Sequence, residues 1–366
     1  MKKLLAAIIM VLVFAGCADG AGNVSPADGA DADEEAPAIE DSAAGDSVPD
    51  EAIMAEPEVE NNAAGVSDIN IGILQHIDHP ALDAARNGFI NGLEAEGWVE
   101  GDNAVFHPFN AQGDLSNAQA MAQQLVESGV DLILGITTPS SQTLANTTDS
   151  IPIVITAVTD PLAAGLIESF ERPGTNVTGT SDLTPVAQQF NLLTRLLPEA
   201  QVVGIMYNAG EVNSSIQANM AMEQAQALGL EYIQGVAPST ADVAQVIESI
   251  IDQVDVIYIP TCNTMAAAYS VIIMVAEERG VPVIAGEEGA MSQGALATEG
   301  INYYNLGRQT AVMAAQILRG EATPQEMPIQ WQEETTLVIN TAAAERLGVT
   351  IPDEILDYPY TEFVEY

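Results

Sequence analysis

Leu132-Ile133-Leu134-Gly135-Ile136, running straight into Thr137-Thr138-Pro139-Ser140-Ser141, is the stretch on which the fold turns. An unbroken apolar run with no polar face is what a strand covered on both sides requires. The hydroxyl residues and proline that follow mark a helix start. Proline is tolerated at the first helical positions because its missing N–H has no partner there in any case, and Thr before it can cap. Strand followed at once by helix is the βα unit of a parallel sheet.

The unit recurs along the chain. Similar apolar runs are Ile69-Asn70-Ile71-Gly72-Ile73-Leu74, Ile153-Val154-Ile155, Val202-Val203-Gly204-Ile205-Met206, Val256-Ile257-Tyr258-Ile259 and Val281-Pro282-Val283-Ile284. Amphipathic stretches of helical length separate most of them. Ala84, Gly88, Leu93 and Trp98 belong to one, Met121, Leu125 and Val126 to the next, and Val243, Val246, Ile247 and Ile250 to another. The fold class expected is α/β, with parallel sheets flanked by helices. A first series ends near Asp182 and a second starts at the helix after Thr184. Roughly 300 residues after Ser67 exceed what one core usually takes, so two lobes follow, with a ligand cleft between them at the carboxyl ends of the strands.

Those strand ends carry the candidate chemistry. His79-Pro80, Thr138-Pro139, Asp160-Pro161 and Thr184-Pro185 each place a capping-type residue before proline, where a helix or helical turn starts. Helix N-termini offer free N–H groups and partial positive charge. With the hydroxyls of Thr138, Ser140 and Ser141, such a start suits a carboxylate without any lysine. Oxygen-bearing residues on other strand-end loops, namely Asp160, Asn208, Glu211, Asn213, Asn263 and Glu287, suit an ammonium group.

Charge narrows the partners. The formal net charge is −43, and both lysines, Lys2 and Lys3, stand at the extreme N-terminus, leaving seven arginines as the other strong cations. A basic groove for nucleic acid cannot be assembled from that inventory, so no nucleic-acid partner is expected. An acidic surface with so little lysine matches proteins of high-salt habitats, where screening removes self-repulsion.

Lys2-Lys3, the apolar run Leu4 to Phe14 and then Ala15-Gly16-Cys17 form a lipoprotein signal. A run of about 10 apolar residues fits a signal peptide and is too short to span a bilayer. Phe14 stands where Leu is commoner. The expectation is a signal peptide over 1–16, lipidation at Cys17, and an acidic, disordered linker over 17–67. That places the protein outside the cytoplasm, lipid-anchored to the cell membrane. With Cys17 acylated, Cys262 has no disulfide partner.

Catalysis finds little support. His76 and His79 flank a strand-to-helix turn, yet no further ligand completes a zinc set. Cys262 reads as a small buried thiol rather than a nucleophile. No nucleophile elbow or phosphate-cradling motif occurs, so neither enzymatic activity nor a cofactor is expected.

Several segments together carry a family resemblance. They are His79-Pro80-Ala81-Leu82-Asp83-Ala84-Ala85-Arg86-Asn87-Gly88-Phe89, Asn110-Ala111-Gln112-Gly113-Asp114, Ala157-Val158-Thr159-Asp160-Pro161, Ser181-Asp182-Leu183-Thr184-Pro185, Tyr207-Asn208 with Glu211 and Asn213-Ser214, and Tyr303-Tyr304-Asn305-Leu306-Gly307-Arg308. From Ile69 to Gly348 the chain resembles ABC-transporter substrate-binding lipoproteins of the tryptophan/tyrosine-binding type. Members commonly carry Asp where this chain has Cys262, and an Asp-containing loop where it reads Gly286-Glu287-Glu288-Gly289.

The resemblance implies a type I periplasmic-binding-protein fold, three crossovers between lobes, and an amino acid, aromatic or apolar, as the small-molecule ligand. His79, Thr138, Asp160, Asp182, Asn208, Glu211, Asn213 and Asn263 would line its cleft. ABC permease subunits would be the partners of a monomeric protein. A ligand-sensing receptor lipoprotein and a nucleoside or other small-molecule binder of the same fold are the alternatives. Crossovers near Asp182, Gly289 and Gly320 divide the chain into lobe 1 (68–182 plus about 290–322), lobe 2 (183–289 plus about 323–350) and an acidic C-terminal tail over 351–366.

Overall fold

The computed structural model describes residues 68–359 and 361–366; the expected signal peptide, Cys17 and the linker lie outside the described residues. The first lobe opens with β1 (Ile69–Gln75), α1 (Pro80–Ala95), β2 (Ala104–Asn110) and α2 (Leu115–Glu127). It continues with β3 (Leu132–Ile136), α3 (Thr138–Thr147), β4 (Ile153–Val158) and β5 (Val177–Ser181). The five strands pair in parallel in the order β2-β1-β3-β4-β5. Alternate residues of each strand enter opposite cores, as the period of two dictates. Leu132, Leu134 and Ile136 pack with Phe89 and Leu93 of α1, whereas Ile133 and Ile155 pack with Leu125 of α2. This is why β3 has no polar face. Trp98, expected on the first helix, lies beyond its end and packs half-buried against the α1 side of that core.

The second lobe continues with α4 (Val186–Leu196), β6 (Val202–Tyr207), α5 (Val212–Ala227), β7 (Glu231–Val236), α6 (Val243–Ile250) and β8 (Val256–Ile259). Then come α7 (Asn263–Ala266), α8 (Tyr269–Glu278), β9 (Val283–Ala285) and β10 (Ala297–Gly300). The chain next forms α9 (Tyr303–Leu318), which packs on α1 of the first lobe. It returns as β11 (Thr336–Asn340), α10 (Thr341–Leu347), α11 (Asp353–Leu356) and β12 (Thr361–Val364). The sheet order is β12-β11-β10-β9-β8-β6-β7. All its pairs are parallel except β10 with β11, an exception to the all-parallel expectation. The antiparallel turn arises because β11 enters from the other lobe rather than through a helical crossover on its own sheet.

Two boundaries differ from those expected. β10 belongs to the seven-stranded sheet, so the second crossover falls at Ile301-Asn302 rather than near Gly289. The segment after α9 stays with the first lobe: Gln330 pairs beside Thr180, and Thr178 donates its hydroxyl to the Met327 carbonyl. The third crossover therefore lies at 331–335 rather than near Gly320. The segment 351–366, expected as a tail, carries structure among its described residues; α11 buries Ile355 and β12 pairs with β11.

The crossovers are tied together. The Asn302 N–H donates to the Gln332 side chain at 3.1 Å, and the Gln332 amide donates to the Asn302 carbonyl at 2.7 Å. Tyr303 donates its hydroxyl to Asp182 at 2.9 Å, and Thr159 donates to the other oxygen of that carboxylate at 2.9 Å. Asp182, on the first crossover, thus ties crossover residues together and lines a wall of the cleft.

Candidate ligand-binding site

The carboxyl ends of β1, β3 and β4 face those of β6, β8 and β9 across the gap between lobes, where open α/β sheets place their ligands. Two spaces lie there. An inner cavity of about 20 Å³ is lined by His79, Ala157 and Asp182, by Asn213 and Asn263, and by Glu287 and Tyr303. An outer groove of about 1060 Å³ runs past His76, Gln112, Pro139 and Gln142 on one lobe and Asn208, Glu211 and Thr264 on the other. Glu211 joins the two, since it lines the groove and holds Asn213 and Asn263 of the cavity.

Glu211 is the most heavily bonded group in the site. Its Oε2 accepts from the Asn263 N–H at 3.0 Å, the Asn263 amide at 2.7 Å and the Asn213 amide at 3.4 Å. Its Oε1 accepts from the Thr264 N–H at 2.9 Å and the Thr264 hydroxyl at 2.6 Å. Both oxygens are occupied in stitching the β6–α5 loop to the start of α7, so this carboxylate braces the wall. Asn208 is likewise engaged, donating to Thr264 at 2.8 Å and accepting from the Gly210 N–H at 2.8 Å.

Asp160 stands apart. It is half-buried, lines neither space, and accepts the Leu162 and Ala163 N–H groups at 3.0 and 2.9 Å, which caps a turn. Ser141 donates back to the Thr137 carbonyl at 2.7 Å, a helix-internal bond that leaves it no donor to offer.

The remaining polar groups are buried without well-aligned partners. They are both ring nitrogens of His79, beside the Asn263 amide, the hydroxyls of Thr137, Thr138 and Ser140, the side-chain oxygen of Asn213, and the Tyr269 hydroxyl and Glu287 Oε1, which neighbour one another. Burial pushes the His79 imidazole down to about 4, so the ring is neutral near pH 7 and offers one donor and one acceptor. Burial pushes the Glu287 carboxyl up to about 7 and raises that of Asp182 as well. The Cys262 thiol, buried in the same wall, is pushed up to about 12 by burial and stays protonated.

The backbone at the strand ends is also unusual. Ile136 and Thr156 are register partners on β3 and β4, and the residues after them, Thr137 and Ala157, have φ of 84° and 54°. Positive φ on non-glycine residues is costly and clusters at functional sites. Sequence patterns carry no signal for it. Tyr303, expected only as part of a family-like segment and not as a site residue, sends its hydroxyl to Asp182 and lines the cavity; its place just after a crossover becomes evident only once α9 is docked.

Comparison with known proteins follows from this geometry. The family model of ABC transporter substrate binding proteins matches residues 70–362. A tyrosine-binding protein of Clostridioides difficile is 41% identical over 271 residues, covering 74% of this chain and 78% of that one. An ABC domain in complex with L-Trp from Streptococcus pneumonia is 34% identical and superposes with a TM-score of 0.79, covering 81% of this chain and 100% of that one. A ligand-free, open structure of a substrate-binding protein with adhesive properties from Clostridium difficile is 39% identical, with a TM-score of 0.63, covering 81% and 99%.

Proposed function

The chain belongs to the family of ABC transporter substrate-binding proteins, and from that premise we propose that it captures an amino acid, aromatic by preference, between its lobes and delivers it to a membrane permease. One observation carries the reading. Polar atoms on both walls of the inner cavity, those of His79 on one side and of Asn213 and Glu287 on the other, are buried without a well-aligned partner. Such groups cost about 1–3 kcal/mol each when unsatisfied, and a small polar ligand would satisfy several at once. The groove beside them has the volume that an aromatic side chain needs. The lobes also superpose better on the L-Trp complex than on the ligand-free, open relative, although the latter is the more identical in sequence.

The start of α3, where Pro139 lines the groove, is the helix N-terminus suited to the ligand's carboxylate; the hydroxyls of Thr138 and Ser140, expected there, line neither space. Proteins of this kind work outside the cytoplasm. Acylation of Cys17, with residues 18–67 as a spacer, is the anchoring that the N-terminal sequence supports. Mass spectrometry of the mature N-terminus, with Cys17→Ala as control, tests it.

Thermal-shift and calorimetric titration against the twenty amino acids, nucleosides and sugars tests the function itself. L-tryptophan or L-tyrosine should bind one to one, and at a hundred times Kd should stabilise the fold by about 2.7 kcal/mol. A protein that ignores every amino acid but responds to a nucleoside or sugar refutes the reading.

A further inference from the structure

The site holds three carboxylates, and their surroundings separate them. Glu211 has both oxygens occupied by the loop that it braces. Asp182 has one oxygen taken by Thr159 and the other by Tyr303. Glu287 alone presents an oxygen with no hydrogen bond of good geometry: Oε2 accepts the Gly289 N–H at 2.6 Å, while Oε1 is buried in the cavity wall, where the neighbouring donor is the Tyr269 hydroxyl, itself buried and without a well-aligned partner. The residue is 2% exposed. It follows β9 at the start of a 3₁₀ turn (Glu288–Gln293), so its backbone position is set by the sheet rather than by a free loop.

The groups around it supply no positive charge. Glu288 on its own turn and Asp182 on the first crossover are acidic, Tyr269 of α8 and Tyr303 of α9 are neutral phenols, and His79 at the start of α1 is a neutral imidazole. A buried carboxyl in such surroundings favours its protonated form, and the neighbouring acids reinforce this. A cation delivered into the cavity reverses the preference.

We propose, on the reading of an amino-acid ligand given above, that Glu287 receives the ligand's ammonium group and gives up a proton as it does so, so that capture is coupled to proton release. The step balances simply. The ammonium keeps its protons, the Glu287 O–H bond breaks heterolytically, and the proton passes to solvent buffer as the carboxylate pairs with the ammonium. The position of the carboxyl, pushed up to about 7, places this exchange in the physiological range. An analogue that lacks the amino group gains nothing from Glu287 and displaces no proton.

The experiment is calorimetry on the full chain with L-tryptophan, L-tyrosine and indole-3-propionate, between pH 5.5 and 8, in two buffers of different ionisation enthalpy. Wild-type protein should release a fraction of a proton that grows below pH 7, with affinity falling by up to about tenfold per pH unit there. Glu287→Gln should bind about tenfold to a hundredfold more weakly at pH 8 and lose the pH slope. Indole-3-propionate should bind wild type and variant alike. Wild-type binding of an amino acid without buffer-dependent heat overturns the inference without recourse to any variant, and a variant with unchanged affinity and slope does the same; in both cases the amino-acid reading stands. If wild type binds neither amino acid, that reading fails and the Glu287 assignment falls with it.

Discussion

Gly88 of α1 and Gly307 of α9 sit where the two helices touch backbone to backbone. A Cβ on Gly88 would stand 2.0 Å from the Tyr304 carbonyl oxygen, and one on Gly307 would stand 2.0 Å from that of Ala85. The contact is what returns α9 to the first lobe after the second crossover, and Tyr303 at its start reaches Asp182 from there. Two helices this close cannot admit a methyl without moving apart. Gly88→Ala and Gly307→Ala should each lower stability by about 1–3 kcal/mol or more, read as a shift in the urea midpoint. Because α9 carries Tyr303, both variants should also weaken ligand binding.

Glu211 and Asp160 are acids of similar sequence context with different duties. Glu211→Gln keeps the shape but loses the charge that four short hydrogen bonds from Asn263 and Thr264 rely on. It should destabilise the fold by about 1–3 kcal/mol and weaken binding through displacement of Asn263. Asp160→Asn should leave affinity within about threefold, since the residue caps a turn outside both spaces. Equal loss of affinity in the two variants would contradict this assignment.

Stability should depend on pH through Glu287. Its carboxyl is raised from an ordinary value of 4.5 to about 7, so the folded state holds a proton that the unfolded chain has released between those values. Ligand-free stability should therefore fall as pH rises from about 4.5 to about 7 and level off above. Glu287→Gln should remove a portion of that slope on the order of 1–3 kcal/mol. Melting curves of both proteins at closely spaced pH check it; parallel profiles count against it.

Salt should stabilise this protein. The net charge is −43, and the ion pairs of Arg86, Arg172, Arg195, Arg279, Arg319 and Arg346 all involve exposed or half-exposed carboxylates, which contribute little. Self-repulsion is strongest at low ionic strength, where the Debye length is roughly 30 Å at 0.01 M. The melting temperature should rise from low to molar NaCl, and a flat profile would separate the acidity from any role in stability.

Central strands and their βα order were legible in the chain because burial on both faces leaves an unbroken apolar run, as in β3, β6 and β8. Edge strands were not. β2 carries His107 and Pro108, β7 is largely exposed, and β5 reads Val-Thr-Gly-Thr-Ser. The half-covered strands β2 and β7 need no apolar run, and an edge tolerates proline; β5 is buried, yet its hydroxyls are satisfied by the Met327 and Thr159 carbonyls and the Thr310 hydroxyl. The strand ends that build the cleft could likewise be listed from the sequence, because parallel βα order determines which loops share one side of a sheet.

Which groups in the cleft are free was decided only by tertiary structure. Asp160 and Glu211 bear the same chemistry as Glu287, yet local N–H donors bond one oxygen of the first and a loop about fifty residues away occupies both oxygens of the second. Hydrogen-bond satisfaction is a property of the neighbours that folding supplies. The amino-acid sequence by itself therefore determined the two-lobed frame and the loops that face the cleft, while the docking of α9, the crossovers and the placement of Glu287 Oε1 in the cavity wall depended on long-range packing that periodicity does not encode.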